Sequence, residues 1–391
     1  KVDVNLQTGA FTLNGNVIVG SEFKGIEGAI GGAGNDTIVG TTGANTIVGG
    51  AGDDTLFGNG TSDGGGIDYI DGGSGNETNG DFVSFNYIGA NGVTVDLSNG
   101  AEQDINGDTV VDLQIKNIEN LEGSIGADKL TGNASNNILK GLDGNDSFIS
   151  SGGNDTIYGG NESTDTSTSD VVDYSNGLRI DVDLTKASQQ VSKVNGKDTL
   201  YGIDKIIGST QNDTFKGDAS NNTFEAGAGN DILEGGAGDD YLDGGEDDDT
   251  LSGGTGDDQL IGGLGNDTAD YSKRNEAIYA DLSNATPQII VDTYDGAADG
   301  DTTHEFVSTA GITKDEVDTI NGIENVTGGS NDDTFIGNSV ANILKGGVGS
   351  DTFLIKDTLN VAGDYIDGGS QLNGARGNDT VDYSALGTTE S

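Results

Sequence analysis

The side chains with the clearest chemical potential are acids set at a fixed interval. Over residues 208–270 an Asp or Asn recurs every nine residues, at Asp213, Asn222, Asp231, Asp240, Asp249, Asp258 and Asp267. The same interval links Asp36, Asn45 and Asp54, then Asp128, Asn137, Asp146 and Asp155, then Asp333, Asn342 and Asp351. Asp379 ends a stretched copy of the same pattern. Carboxylate, amide and backbone oxygens suit a hard divalent cation such as Ca²⁺, which takes six to eight oxygens at about 2.3–2.6 Å. Stacked carboxylates without a cation repel one another. A solvated acidic face is the alternative.

Composition narrows the chemistry further. The 391 residues carry 66 Asp and Glu against 17 Lys and Arg, a formal charge of −49. That charge repels nucleic acid and anionic membrane and attracts divalent cations. The absence of Cys removes disulfides and thiolate metal sites, and a single His leaves no nitrogen-ligand cluster. No apolar run reaches the roughly 20 residues of a membrane span, so direct insertion is not expected. Only 32% of residues are hydrophobic, which by itself suggests disorder. The 69 glycines argue otherwise, because they keep a strict period and an apolar residue follows almost every cluster.

The acids sit inside nonapeptides. Residues 208–270 divide into GSTQNDTFK, GDASNNTFE, AGAGNDILE, GGAGDDYLD, GGEDDDTLS, GGTGDDQLI and GGLGNDTAD. Shorter arrays occupy 31–57, 123–158 and 328–354. Each array follows an Ile-acid pair whose acid lies nine residues before the first repeat Asp: Ile26-Glu27, Ile118-Glu119, Ile203-Asp204 and Ile323-Glu324. Further upstream, alternating stretches such as 93–97, 180–184 and 278–282 read as strands. The expected organisation is four modules, at 1–80, 81–169, 170–270 and 271–391, the last containing the start of a further unit. Polar insertions at 60–66, 161–169, 292–318 and 370–376 read as surface loops. The chain begins and ends within strand-like patterns, and a piece of a longer protein is expected.

In each nonad the first six residues make a turn and the last three a short strand. Two nonads close one coil, so each side recurs every 18 residues. Position six then directs its carboxylate into the gap between coils, and position eight faces inward. Glycine supplies turn conformations that are costly for other residues. The four Asn at position six read equally as neutral ligands or as caps that hydrogen-bond their own turn.

The pattern G-G-x-G-x-D-x-U-x, with U apolar, resembles the RTX (hemolysin-type) calcium-binding repeats. The resemblance implies an all-β fold of tandem parallel β-rolls with interleaved strand-rich segments. It also implies multiple Ca²⁺ ions between neighbouring turns, folding on calcium, and an extracellular, type I-secreted bacterial protein. Nothing in the sequence points to catalysis. His304-Glu305 begins like H-E-x-x-H, but Ser308 stands at the fifth position. The expected function is the calcium-binding structural region of a cell-surface protein, an S-layer, adhesin or matrix fibre that associates with its own copies. The alternative is the calcium-dependent C-terminal region of a secreted protease, lipase or epimerase, or of an RTX toxin.

Overall fold

A computed structural model describes residues 1–14, 16–17, 25–59, 66–160, 169–283, 288–292, 316–355, 363–369 and 377–384. Among these residues every regular element is a strand, and no helix is long and apolar enough to cross a membrane. Most of the insertions expected at 60–66, 161–169 and 292–318, all of 370–376, and His304, Glu305 and Ser308 lie outside the described residues.

Each nonad gives one turn and one short strand. In Thr37–Val39 and Thr55–Phe57 only the middle residue is fully buried. These two strands pair in parallel, with Ile38 opposite Leu56. The same register pairs Ile232–Ala237 with Thr250–Thr255, and Thr223–Ala228 with Tyr241–Glu246. Alternate nonads thus build two parallel faces, closed around one inward side chain per strand. All fifteen position-eight residues expected to point inward, from Ile38 to Phe353, are at most 2% exposed. They form a spine one residue wide, with ring contacts between Phe215 and Phe224 (5.2 Å) and between Phe335 and Phe353 (5.4 Å).

Where the second position is glycine within the long array, the coils pack too closely there for a side chain. Gly245 has φ +109°, and a Cβ there would strike the carbonyl oxygen of Gly227 one coil away. Only glycine combines that backbone with that approach.

The strand-rich segments join the roll. Val2–Asn5, Thr94–Asp96, Ile180–Asp183 and Ala277–Asp281 each pair in parallel with the first strand of an array. They complete the stack where no earlier nonad exists. Antiparallel pairs branch from it, as in Val191–Lys193 with Gly196–Tyr201 and Ala277–Asp281 with Gln288–Asp292.

Two compact units divide the chain: Lys1–Gly177 with Lys186–Ile207, and Leu178–Thr185 with Gly208–Ser391. Strand pairing runs through the boundary expected near 80, since Phe82–Ser84 pairs with both Thr55–Phe57 and Asn120–Glu122. It also runs through the one near 270, where Thr268–Asp270 pairs with Asn325–Thr327.

Truncating the spine in saturating calcium, Leu242→Ala should cost about 2–5 kcal/mol by denaturant unfolding. Leu242 is fully buried, whereas Ile232, one position off the spine, is 48% exposed. Ile232→Ala should therefore cost less than about 1 kcal/mol.

Candidate metal centre

The acids form ladders. The backbone N–H of Asp213 donates to Oδ1 of Asp231 (2.6 Å), that of Asp231 to Asp249 (2.8 Å), and that of Asp249 to Asp267 (2.8 Å). On the opposite face the order is Asn222, Asp240, Asp258 and Asp318, at 2.7, 2.8 and 3.0 Å. The carbonyl of each rung also accepts the amide following the next Asp, as Asp231 does from Thr250 (2.9 Å). Each of these rungs is thereby held at main chain and side chain together, through one carboxylate oxygen.

That second oxygen is the chemically exceptional atom. Among the described residues, Oδ2 of Asp54, Asp81, Asp231, Asp240, Asp249, Asp258, Asp267 and Asp351 is buried and accepts no hydrogen bond. A buried carboxylate oxygen in that state carries its full desolvation cost. For Asp54, Asp240, Asp249, Asp258, Asp267 and Asp351 it faces a cradle shaped by the first glycine of its nonad, whereas at Asp231 that position is the small Ala226. A Cβ on Gly235 would fall on Asp240 Oδ2 and on the carbonyl oxygen of Gly253 in the next coil. A Cβ on Gly49 would fall on Asp54 Oδ2 and the carbonyl oxygen of Gly72. Carboxylate and carbonyl oxygens thus converge where a side chain is missing, an all-oxygen donor set suited to calcium. There calcium would be held by Oδ2 of these aspartates and the neighbouring carbonyls, and would supply positive charge.

The ends of the ladders differ from their interiors. Oδ2 of Asp36, Asp128, Asp213 and Asp333 accepts the second amide of its own turn, from Gly32, Ser124, Ser209 and Gly329 at 2.6–2.9 Å. Their Oδ1 accepts Val2, Val93, Ile180 and Ile278, so the strand-rich segment replaces the missing coil. Asn45, Asn137, Asn222 and Asn342 close on their own turns in the same way, through Thr41, Asn133, Asp218 and Asn338. Asn137 and Asn342 also donate to the carbonyls of Glu119 and Glu324.

Several rungs are invisible to the nine-residue count. Asp68, Asp170, Asp198 and Asp364 receive the amides of Asn45, Asp146, Asp155 and Asn342. The acids of the Ile-acid pairs are rungs too, since Glu119, Asp204 and Glu324 receive the amides of Asp81, Asp170 and Asp267. Asp379 receives that of Asp351 (3.1 Å). The available signal is an acid two residues before an apolar strand centre, with or without its glycine turn. Outside the ladders, Asp104, Asp108 and Asp112 bring carboxylate oxygens within 4.8 Å of one another at the surface.

Burial, reinforced by neighbouring carboxylates and opposed by the amide bonds, pushes these acids up from their ordinary 3.8. Asp231 and Asp258 reach about 8, Asp249 and Asp333 about 7, and Asp54, Asp240 and Asp267 about 6. The metal-free fold therefore binds more protons than the unfolded chain. Its carboxyl-linked stability is fully present below about pH 4 and is lost as pH rises through 6 to 8. Metal-stripped protein should show strand circular dichroism that weakens across that window. Calcium, which needs the ionised form, should remove the loss. A flat pH response without metal would contradict the buried ladder.

Comparison with known proteins agrees with this geometry. The RTX calcium-binding nonapeptide repeat (four copies) matches residues 30–64, 118–148, 131–163, 198–233, 234–269 and 318–354. No curated protein matches the chain. The matched residues hold most of the ladder rungs and the glycine cradles beside them. The chain carries RTX calcium-binding nonapeptide repeats at intervals from residue 30 to residue 354.

Proposed function

We propose that the chain is the calcium-stiffened structural region of a secreted bacterial surface protein, an S-layer, adhesin or matrix fibre. The observation that carries this reading is the continuity of the ladders. Within each compact unit, successive arrays share strand pairing through degenerate rungs such as Glu119 and Glu324. Such a stack gains stiffness with every ion and needs no catalytic group. Its role is non-catalytic. With formal charge −49, metal-free chains repel themselves and one another, and calcium relieves both. Extracellular calcium far exceeds cytosolic calcium, so the chain leaves the cell unfolded and folds outside. Copies then associate at the cell surface.

Titrating calcium into metal-free protein should produce a cooperative gain of strand circular dichroism that magnesium does not reproduce, because Mg²⁺ demands a tighter octahedron and holds its waters. Electron microscopy of the calcium-loaded protein should then show lattices or filaments. Monodisperse monomers at high concentration would instead favour a calcium-dependent region of a secreted enzyme or toxin.

A further inference from the structure

One gap of the first unit is built differently from the rest. Position one of nonad 150–158 is Ser150, where the neighbouring nonads have Gly132 and Gly141. Its hydroxyl occupies the space that a missing side chain leaves open elsewhere, 2.9 Å from Asp155 Oδ2 and 2.8 Å from Asp198 Oδ2. Over it lies Lys193, carried by the hairpin Val191–Lys193 and Gly196–Tyr201. The ammonium donates to Ser150 Oγ (2.7 Å), the Ser151 carbonyl (2.9 Å) and Asp155 Oδ2 (3.1 Å). It pairs with Asp198 Oδ1 at 2.8 Å. The Lys193 side chain is 8% exposed and both acids are fully covered. Tyr174 closes the group, donating its hydroxyl to Asp198 Oδ2 at 2.8 Å.

We infer that this gap carries its own cation: the Lys193 ammonium, with the Ser150 hydroxyl, takes the place of calcium between Asp155 and Asp198. The observations agree on this. Asp155 Oδ2 has partners, whereas Oδ2 of Asp240 and Asp258, facing glycines, has none. The four oxygens around Nζ lie at ammonium distances, longer than calcium–oxygen bonds. Placing a divalent ion beside a buried ammonium would add like-charge repulsion.

The second unit offers a built-in contrast. Tyr271 donates to Asp318 as Tyr174 does to Asp198. There the cation is Arg274, which donates to the Gly254 carbonyl and to Glu316. Position one is Gly253, and Asp258 Oδ2 stays unpartnered. That gap keeps its calcium cradle, and the Asp155 gap does not. An array that ends on a tethered ammonium has one coil whose paired carboxylates carry a counter-charge before any calcium arrives.

The inference rests on calcium filling the other gaps, and two measurements test it. Native mass spectrometry counts ions on calcium-saturated chains. Ser150→Gly combined with Lys193→Ala should restore the cradle and bind one calcium more than wild type. A folded double variant with an unchanged count would overturn the assignment. Lysine labelling of wild type in saturating calcium needs no variant. Lys193 should stay unmodified while exposed Lys116 and Lys197 react. Labelling of Lys193 at their rate would mean that calcium displaces it, and would also overturn the assignment. A wild type that binds no calcium contradicts the calcium reading of the ladders, and labelling then decides the placement of Lys193 by itself.

Discussion

Everything in this fold depends on how a buried aspartate divides its two oxygens. Oδ1 accepts the main-chain amide of the neighbouring rung and sets the coil-to-coil register. Oδ2 is left in a buried cradle with carbonyl oxygens nearby. The first oxygen makes the stack regular, and the second makes it unstable without positive charge. Small position-one residues follow from this division, glycine at Gly235, Gly244 and Gly253 and alanine at Ala226, because a larger side chain there fills the cradle. The thin spine follows as well. With one inward residue per nonad, apolar burial cannot by itself offset the entropy of ordering nine residues.

Positive charge need not come from the same source at every gap. Interior rungs such as Asp231, Asp249 and Asp258 keep an open oxygen. First rungs such as Asp213 and Asp333 fold the second oxygen back onto their own turn. Between Asp155 and Asp198 an ammonium is present from within the chain. Each array therefore has a self-satisfied first rung and cation-dependent rungs after it. This arrangement lets the strand-rich segments join the roll at the first rungs without leaving an unsatisfied carboxylate there.

The repeating part of this structure is readable from sequence because its period is strict. Asp at position six and an apolar residue at position eight recur in frame, so the spine from Ile38 to Phe353 and the rungs Asp231 to Asp267 can be named in advance. The Ile-acid pairs keep the nine-residue spacing but lack the glycine turn, and Glu119 and Glu324 read as markers instead of rungs. Asp68, Asp198 and Asp318 are hidden more deeply. They follow their ladder neighbours by 23, 43 and 60 residues, because register is set by strand pairing and insertions at turns leave it intact. Which oxygens are open and which are satisfied is a matter of local contact, and the nonad pattern does not record it. Asn at position six is the clearest example. Its cap role rests on a hydrogen bond to its own turn, which composition leaves level with ligation.

Locating the ions is the most direct test of the ladder. Anomalous diffraction from crystals grown in calcium should give discrete peaks about 2.3–2.6 Å from Oδ2 of Asp231, Asp249 and Asp258. Well-ordered carboxylates at those positions with no ion density beside them would contradict the claim that divalent cations hold the coils together.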